Sequence, residues 1–540
     1  MAEVRRQLEH HPVTIALATA AALTVGLTAC SPAGEDATEA PRRLVLADRD
    51  TKDNYHPASG YGQTGVSPVY DGLLRPAPSN GSDVLPVLEP ALAAESPTHN
   101  AAASEWTVKL RPGVTFHDGS SLDAEDVKAT YAAATDTTRG SKIVARYDII
   151  KQVEVVDAAT VKFHLAYPTL GFASRLTLAI APSELVSQGT VAEGPLSSTP
   201  VGTGPYRMVE NKADRVVYEA NKTYWNGEPE VGELVVITSS DDTARGNLVA
   251  TGEIDGAALP PALAQTFAGR DAVTVHSVPT MDWKGISLPD DPDLADARVR
   301  RAMNLAVDRD AVVAGPLKGH GRPLDNLVNK VYGPAWDPNL TFPHDVAAAE
   351  KLLDEAGWVK GADGMRAKNG QKFSVTLMYA GSDSLRRDLA IDFAAQMKRI
   401  GLDFPTKAGT WDEITPALPT VAAVLGGGSS PWDIDLLVYG EYHTRTASST
   451  DYNNPGNHGS ARMDEALEAA RHEVHPAKRN AAYREVQKRY LDDPSYVFLA
   501  CPDHTYVERP NTWKKGELIL EPHVHGSTWG PWWNLRSWTQ

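Results

Sequence analysis

The chain has 540 residues and a net charge of −17, from 52 Lys and Arg against 69 Asp and Glu. This length is about three times that of an ordinary domain, so two or three lobes are expected. The hydrophobic content of 42% and charged content of 22% exclude a collagen, a coiled coil, a disordered chain and a polytopic membrane protein. The negative charge disfavours nucleic acid as a partner, and two cysteines are too few for a disulfide framework.

The N-terminal segment has the pattern of a secretory signal peptide. Arg5 and Arg6 precede an uncharged, Ala- and Thr-rich apolar run over residues 13–29. This run is marginal in length for a bilayer core of about 30 Å, so a cleaved signal is favoured over a spanning helix. We therefore predict that the folded part lies outside the cytoplasmic membrane.

The apolar run ends in LTAC at residues 27–30, which resembles the lipobox of bacterial lipoproteins. In such proteins the cysteine becomes the lipidated N-terminus, and acyl chains hold the protein at the membrane without a spanning helix. This pattern predicts a signal peptide at 1–29, lipidation of Cys30, and a flexible acidic tether over 30–41. An ordinary signal peptide with an incidental cysteine is the alternative.

From residue 42 onward the chain mixes strand and helix patterns, which indicates an α/β fold. Alternating apolar and polar residues predict half-buried strands at 106–110 and 161–165. Apolar residues at helical spacing predict four helices, within 298–307, 345–357, 389–401 and 463–474. The segment 432–438 (WDIDLLV) is predicted to be a strand.

The sequence contains none of the common catalytic motifs that we sought. It has no GxSxG elbow, no HExxH pair and no GxxxxGK[ST] phosphate loop. We therefore expect a protein that is not an enzyme and that carries no cofactor.

Six segments, in collinear order, resemble the solute-binding proteins of peptide, opine and nickel ABC importers. They are 69–74 (VYDGLL), 105–128, 201–206 (VGTGPY), 221–225 (NKTYW), 298–309 (RVRRAMNLAVDR) and 349–358 (AEKLLDEAGW). The Arg-Pro-Gly and His-Asp-Gly turns within 105–128 are the most specific of these. The glycines and prolines supply turn geometry, so we interpret the motifs, His117 included, as structural.

The resemblance implies an α/β, two-lobed periplasmic-binding-protein-like fold with a hinge, an interlobe cleft and an extra subdomain. It places the first lobe at 42–280, the second at 281–504, and a return to the first lobe at 505–540. It also implies a monomeric receptor that delivers a small peptide, or alternatively a nickel or other metal chelate, to an ABC permease and ATPase complex. A peptide-sensing receptor and an extracellular enzyme are alternatives of other classes.

The predicted strand 432–438 is followed by four candidate ligand contacts. In peptide-binding members of the family an acidic residue here meets the peptide ammonium, and Glu441 is the candidate for that role. His443 and Arg445 suit a carboxylate-rich ligand, and His443 also suits a chelated metal. Tyr439 completes the group, and exposed loop residues without a ligand role are the alternative.

Three further candidates lie elsewhere in the chain. Arg146 falls in the region where the resemblance to nickel-type members places a ligand-facing arginine. Trp283 and Trp411 are placed where second-lobe residues could line the cleft, although core packing is the alternative for each. The tail from Trp529 to Trp538 contains four tryptophans and is either a packing strap over the first lobe or an exposed aromatic patch.

Overall fold

The structure is a computed structural model that describes residues 42–50, 52–79, 81–429, 431–447, 449–523 and 526–540. The predicted signal peptide, the lipobox cysteine Cys30 and all of the predicted tether lie outside these residues. Within the described ranges, no helix is both long enough and apolar enough to span a membrane.

The first of two large sheets has seven strands. In order across the sheet they are Thr274–Val278, His504–Glu508, Gly256–Leu259, Arg43–Asp48, Glu233–Thr238, Arg215–Ala220 and Tyr206–Asn211. Its central strand Arg43–Asp48 runs parallel to both neighbours, and Leu44, Leu46 and Ala47 on it are buried. We call this sheet and the elements packed on it the first lobe.

The second large sheet has six strands. In order they are Gly321–Pro323, Tyr496–Pro502, Trp283–Ser287, Ala422–Gly427, Leu377–Ala380 and Thr406–Gly409. Leu377–Ala380 runs parallel to both of its neighbours. We call this sheet and its packed helices the second lobe.

Three smaller sheets complete the strands of the described residues. Their members are Thr98–His99, Glu105–Lys109, Thr160–Leu165 and Ile150–Asp157; Leu74–Ala77 and Val87–Pro90; and Val359–Lys360, Arg366–Lys368 and Gln371–Lys372. The four-stranded sheet contains the two strands that alternation predicted, and their inward side chains, such as Val108 and Phe163, are buried. Both strand predictions are therefore confirmed.

The α-helices of the described residues are Ala124–Thr135, Val144–Tyr147, Ser183–Val186, Asp242–Thr251, Pro261–Ala264, Ala297–Ala306, Arg309–Ala314, Val346–Glu355, Ser384–Arg399, Trp411–Ala417, Ile434–Tyr442, Ala461–His472 and Pro476–Asp492. Short 3₁₀ segments lie at Pro57–Ser59, Leu170–Thr177, Pro195–Ser197, Gln265–Phe267, Pro292–Leu294, Lys330–Ala335, Gly530–Trp532 and Leu535–Ser537. The four predicted helices are confirmed.

The predicted strand at 432–438 is wrong, because this segment begins a helix. Asp433 caps Ile434–Tyr442 by accepting a hydrogen bond from the Asp435 amide. Ile434, Leu437 and Val438 are buried, and their spacing is helical. The alternation at its start comes from the capping aspartate rather than from a pleated strand.

The C-terminal tail packs over the first lobe. Its tryptophans Trp529, Trp532, Trp533 and Trp538 are buried in one cluster with Leu44 and Tyr218 of the seven-stranded sheet. This packing supports the strap and not the exposed patch.

The chain crosses between the two large sheets after Val278 and again after Pro502. The Thr280 hydroxyl donates a hydrogen bond to the Pro502 carbonyl at 2.6 Å, which ties the two crossings together. This pair of crossings forms the hinge. The predicted lobe boundaries at residues 280 and 504 remain predictions.

Candidate ligand-binding cleft

Three of the six motif segments, 69–74, 201–206 and 221–225, converge on one buried carboxylate in the first lobe. Asp71 accepts hydrogen bonds from the Thr203 hydroxyl at 3.2 Å, the Tyr224 hydroxyl at 3.1 Å and the Trp225 indole at 2.9 Å. Every donor of this network comes from another of the motif segments. The network therefore joins segments far apart in sequence, which is a structural role.

His117 and Gly204 are likewise used internally. The His117 ring nitrogen Nε2 lies 3.0 Å from the Gly204 carbonyl oxygen, and burial lowers the pKa of His117. A Cβ atom at position 204 would lie 2.3 Å from the carbonyl carbon of Val69, so only glycine fits. His117 and Gly204 therefore have structural roles, as the sequence predicted for the turn residues of these motifs.

The carboxyl ends of the parallel strands in the two lobes face each other. Arg49, which follows Arg43–Asp48, donates to the Ser382 carbonyl beyond Leu377–Ala380 at 2.6 Å. Trp432, beyond the neighbouring strand Ala422–Gly427, donates its indole N–H to the Thr64 carbonyl at 3.1 Å. Ligands of open α/β sheets bind at the carboxyl ends of strands, so the space between these edges is the candidate site.

A cavity of about 240 Å³ lies on the first-lobe side of this space. Its lining includes Asp48, Tyr55, Tyr61, Gln63, Tyr218 and Trp529. Ligand pockets for drug-sized molecules typically measure about 300–1,000 Å³, so a cavity of this size fits a small solute. Sequence reasoning missed these residues; the recurrent Tyr and Gly of segment 54–63 (NYHPASGYGQ) was the available signal.

Arg146 presents unused hydrogen-bond donors beside this cavity. Its Nη1 donates to the Gln63 side chain at 3.1 Å, while Nε and Nη2 are buried without a hydrogen-bond partner in the described part of the chain. Burial, together with the nearby Arg175, lowers the pKa of Arg146. Buried donors without partners are costly, so this guanidinium is suited to receive an anionic ligand group.

Arg386 offers a similar group from the second lobe. It lies in the first turn of Ser384–Arg399, is only 7% exposed, and stacks over the Trp411 ring with 5.1 Å between Cζ and the ring centroid. Its Nε lies 3.3 Å from the Asp383 carboxylate, but Nε and Nη1 are buried without hydrogen bonds. Sequence analysis missed Arg386, although an arginine in the first turn after a strand was visible.

The two predicted tryptophans occupy different environments. Trp283 is 2% exposed and packs edge-on against Tyr496 and Phe498, as a core residue does. Its indole Nε1 is buried without a hydrogen-bond partner in the ranges described above. Trp411 is 37% exposed at the carboxyl edge of the second sheet and contacts Tyr452. Trp411 therefore lies exposed at the edge of the second sheet and Trp283 lies in the core; a ligand role for either stays a prediction.

The four candidates near the end of helix Ile434–Tyr442 do not converge on one point. The Tyr439 hydroxyl donates to Glu468 at 2.5 Å, and the His443 ring lies 3.5 Å from the Asp464 carboxylate. Arg445 is exposed and donates to two backbone carbonyls of its own loop.

Glu441 is half-buried beside Asn453, and burial raises its pKa to about 8. The described residues contain no group of three His, Cys, Asp or Glu side chains arranged to hold a metal ion. A ligand role for these four residues stays a prediction.

Comparison with known families decides the class of the protein. The model for the middle region of the bacterial extracellular solute-binding proteins, family 5, matches residues 87–449. The chain belongs to this family. Protein XP55 of Streptomyces lividans is 36% identical over 496 residues, which cover 91% of this chain and 90% of that protein.

Solved structures of family 5 receptors share the fold. NikZ from Campylobacter jejuni, in complex with Ni(L-His), superposes with a TM-score of 0.82 at 24% identity over 93% of this chain and 100% of that one. AppA from Bacillus subtilis, in complex with a nonapeptide, gives 0.74 at 21% identity over 92% and 99%. The predicted two-lobed α/β fold and the predicted role as an extracytoplasmic solute-binding receptor are confirmed. The family is one of binding proteins.

Proposed function

We propose that this receptor captures a small peptide or peptide-like solute with a free carboxylate and delivers it to an ABC permease and ATPase complex. The observation that carries the proposal is the pair of arginines, Arg146 and Arg386, each of which holds buried guanidinium nitrogens without hydrogen bonds among the described residues. Arg146 contacts Gln63 of the cavity lining, and Arg386 lies in the second lobe. The cavity of about 240 Å³ supports a small solute.

A carboxylate satisfies these arginines in a way that water in a closed cleft does not. An arginine guanidinium binds carboxylate through two parallel, charge-assisted hydrogen bonds. A ligand that contacts Arg146 and Arg386 together bridges the lobes and therefore favours the closed form. We infer that the permease recognises this closed form, and that the ligand leaves chemically unchanged.

A metal chelate is the second candidate ligand, because an anionic chelator would satisfy the same arginines. His443 would then be the protein's contribution to the metal. The two candidates differ in what the bound molecule must contain: the peptide needs its carboxylate, and the chelate also needs its metal.

Calorimetry with alanyl-alanine, its C-terminal amide, and nickel citrate beside metal-free citrate tests the proposal. We expect the dipeptide to bind, and the amide to bind about 10- to 100-fold more weakly, because it lacks the charge for both arginines. Arg146→Met and Arg386→Met should each weaken dipeptide binding by a similar factor.

Arg387→Met is the matched control, since Arg387 is exposed and bonds Asp388 on its own helix. If nickel citrate binds and neither the dipeptide nor free citrate does, the ligand is a metal chelate and not a peptide. Equal binding of acid and amide would contradict the role of the two arginines, and steady conversion of the ligand would contradict a pure receptor.

We also propose that Cys30 anchors the receptor to the outer face of the cell membrane. The uncharged run and the LTAC segment support this. Two acyl chains give stable membrane attachment, so the parent should partition into detergent and Cys30→Ala into the aqueous phase. A Cys30→Ala protein that still partitions like the parent would place the anchor elsewhere.

A further inference from the structure

The cleft cavity is lined by a half-buried carboxylate, Asp48, that the proposed carboxylate site does not use. Asp48 ends the strand Arg43–Asp48 and lines the cavity. Its two oxygens accept hydrogen bonds from the Ser527 amide at 2.7 Å and the Ser527 hydroxyl at 2.8 Å. Gly526 allows this approach: a Cβ there would lie 2.7 Å from Asp48 Oδ1, and its φ is +122°. The strap thus fixes the carboxylate in one orientation.

Among the described residues, no basic side chain forms an ion pair with this carboxylate. None of the ion pairs within 4 Å in the described ranges includes Asp48, and Lys52, the one basic residue lining the cavity, is exposed. Burial raises the pKa of Asp48, while the charges of Lys52 and Arg245 and the bonds from Ser527 lower it. Each carboxylate oxygen can accept a second hydrogen bond, so Asp48 retains capacity for a cationic donor.

Aromatic rings surround the same end of the cavity. Tyr55 and Tyr61 pack edge-to-face with centroids 4.9 Å apart, and Tyr218 lies in hydrogen-bond contact with both hydroxyls. The pKa of Tyr55 is raised mainly by burial and also by the negative charge of Asp48, because the two side chains lie near each other. Tyrosine faces attract cations, and tyrosine hydroxyls at such a site accept hydrogen bonds from ammonium groups.

We propose that Asp48, with Tyr55, Tyr61 and Tyr218, binds the α-ammonium group of the ligand. This assignment rests on the proposed function, and it makes the ligand a zwitterion whose ammonium lies at the first-lobe strand end and whose carboxylate meets the arginines. It also assigns to Asp48 the role that the sequence pattern suggested for Glu441. Glu441 lies at the end of a second-lobe helix against Asn453 and does not line the cavity.

Calorimetry with alanyl-alanine and N-acetyl-alanyl-alanine, on the parent and on Asp48→Asn, tests this site. Acetylation removes the positive charge of the ligand's α-ammonium group. The substitution removes the negative charge of the Asp48 side chain and leaves its shape nearly unchanged. We expect acetylation to weaken binding to the parent about 10- to 100-fold and to have little further effect on Asp48→Asn. Comparing two ligands on one variant cancels any effect of the substitution on the folded fraction.

Asp271→Asn is the matched control, because it removes the same charge from an exposed first-lobe loop. Its acetylation penalty should equal that of the parent. A full acetylation penalty on Asp48→Asn would overturn the assignment, and if that penalty vanished on Glu441→Gln the ammonium would lie at Glu441. Equal binding of both ligands to the parent would overturn it as well. If neither dipeptide nor any other carboxylate-bearing peptide binds, the peptide proposal fails and this assignment fails with it.

Discussion

The Asp71 network and the space between the facing strand edges differ in whether their buried polar groups have hydrogen-bond partners. In the network, the carboxylate of Asp71 accepts hydrogen bonds from Thr203, Tyr224 and Trp225, so these four side chains are paired within the fold. Arg146 and Arg386 instead retain buried guanidinium nitrogens without hydrogen bonds, although Arg386 Nε also forms an ion pair with Asp383. The Asp71 network therefore stabilises the fold, and our proposal assigns ligand selection to residues outside it.

Among the substitutions that test this comparison, Gly204→Ala should have the largest effect on stability. Gly204→Ala should lower the free energy of unfolding by about 3 kcal/mol, because the new Cβ would clash with the backbone of Val69 at 2.3 Å. Denaturant unfolding measures this. Gly381→Ala is the control, because its Cβ would lie at ordinary contact distances from its neighbours, 3.5 Å from the Ala408 methyl group and 3.8 Å from the Gly409 carbonyl oxygen. Equal stability of Gly204→Ala and the parent would contradict the conclusion that only glycine fits at position 204.

We expect the charged side chains at the hinge to stabilise the fold, as the Asp71 network does, because they are paired with one another. His504 is buried between Glu521 at 2.7 Å and Asp282 at 3.5 Å. Burial alone would lower its pKa, but these carboxylates raise it from 6.5 to about 8.

A raised folded-state pKa means that the stabilisation from His504 is fully present below pH 6.5 and is lost as the pH rises through 8. Between pH 6 and 9 the parent should lose about 2 kcal/mol more unfolding free energy than His504→Gln does. Denaturant unfolding at both pH values measures the difference. Identical pH dependence in the two proteins would show that His504 does not stabilise the closed hinge as a cation.

The smallest effect on stability is expected at the strand edge itself. Arg386→Met should change the free energy of unfolding by less than about 1 kcal/mol, because the substitution loses the Asp383 ion pair and the stacking on Trp411 but also removes two buried donors that have no hydrogen bonds. The same substitution is expected to weaken dipeptide binding. A loss of stability comparable to that of Gly204→Ala would show that Arg386 stabilises the fold, and the difference between the two regions would then not hold.

The sequence predicted the fold well because its signals are local. The alternation around Val108 and Phe163, and the helical spacing around Ala302 and Leu353, each depend on a few neighbouring residues. The segment 432–438 misled because Asp433 and Asp435 mimic alternation while one of them caps a helix.

The cleft could be predicted only in part. Arg146 and Trp411 were candidates from the sequence and stay predictions, whereas Asp48 and Arg386 became candidates only in the folded structure. Asp48 lies 479 residues from its partner Ser527, and Arg386 is aligned with Arg49 and Ser382 only after both sheets have formed. Which polar groups remain unpaired is a property of the folded chain, and no periodicity encodes it.

Native mass spectrometry of the protein purified from the cells that express it tests the central claim most directly, since a closed cleft retains its cellular ligand. The account predicts an added mass of a small zwitterionic peptide or peptide-like solute on the parent, and its loss from Arg386→Met and from Asp48→Asn. A retained metal chelate, or a ligand without a carboxylate that stays bound to Arg386→Met, would contradict it.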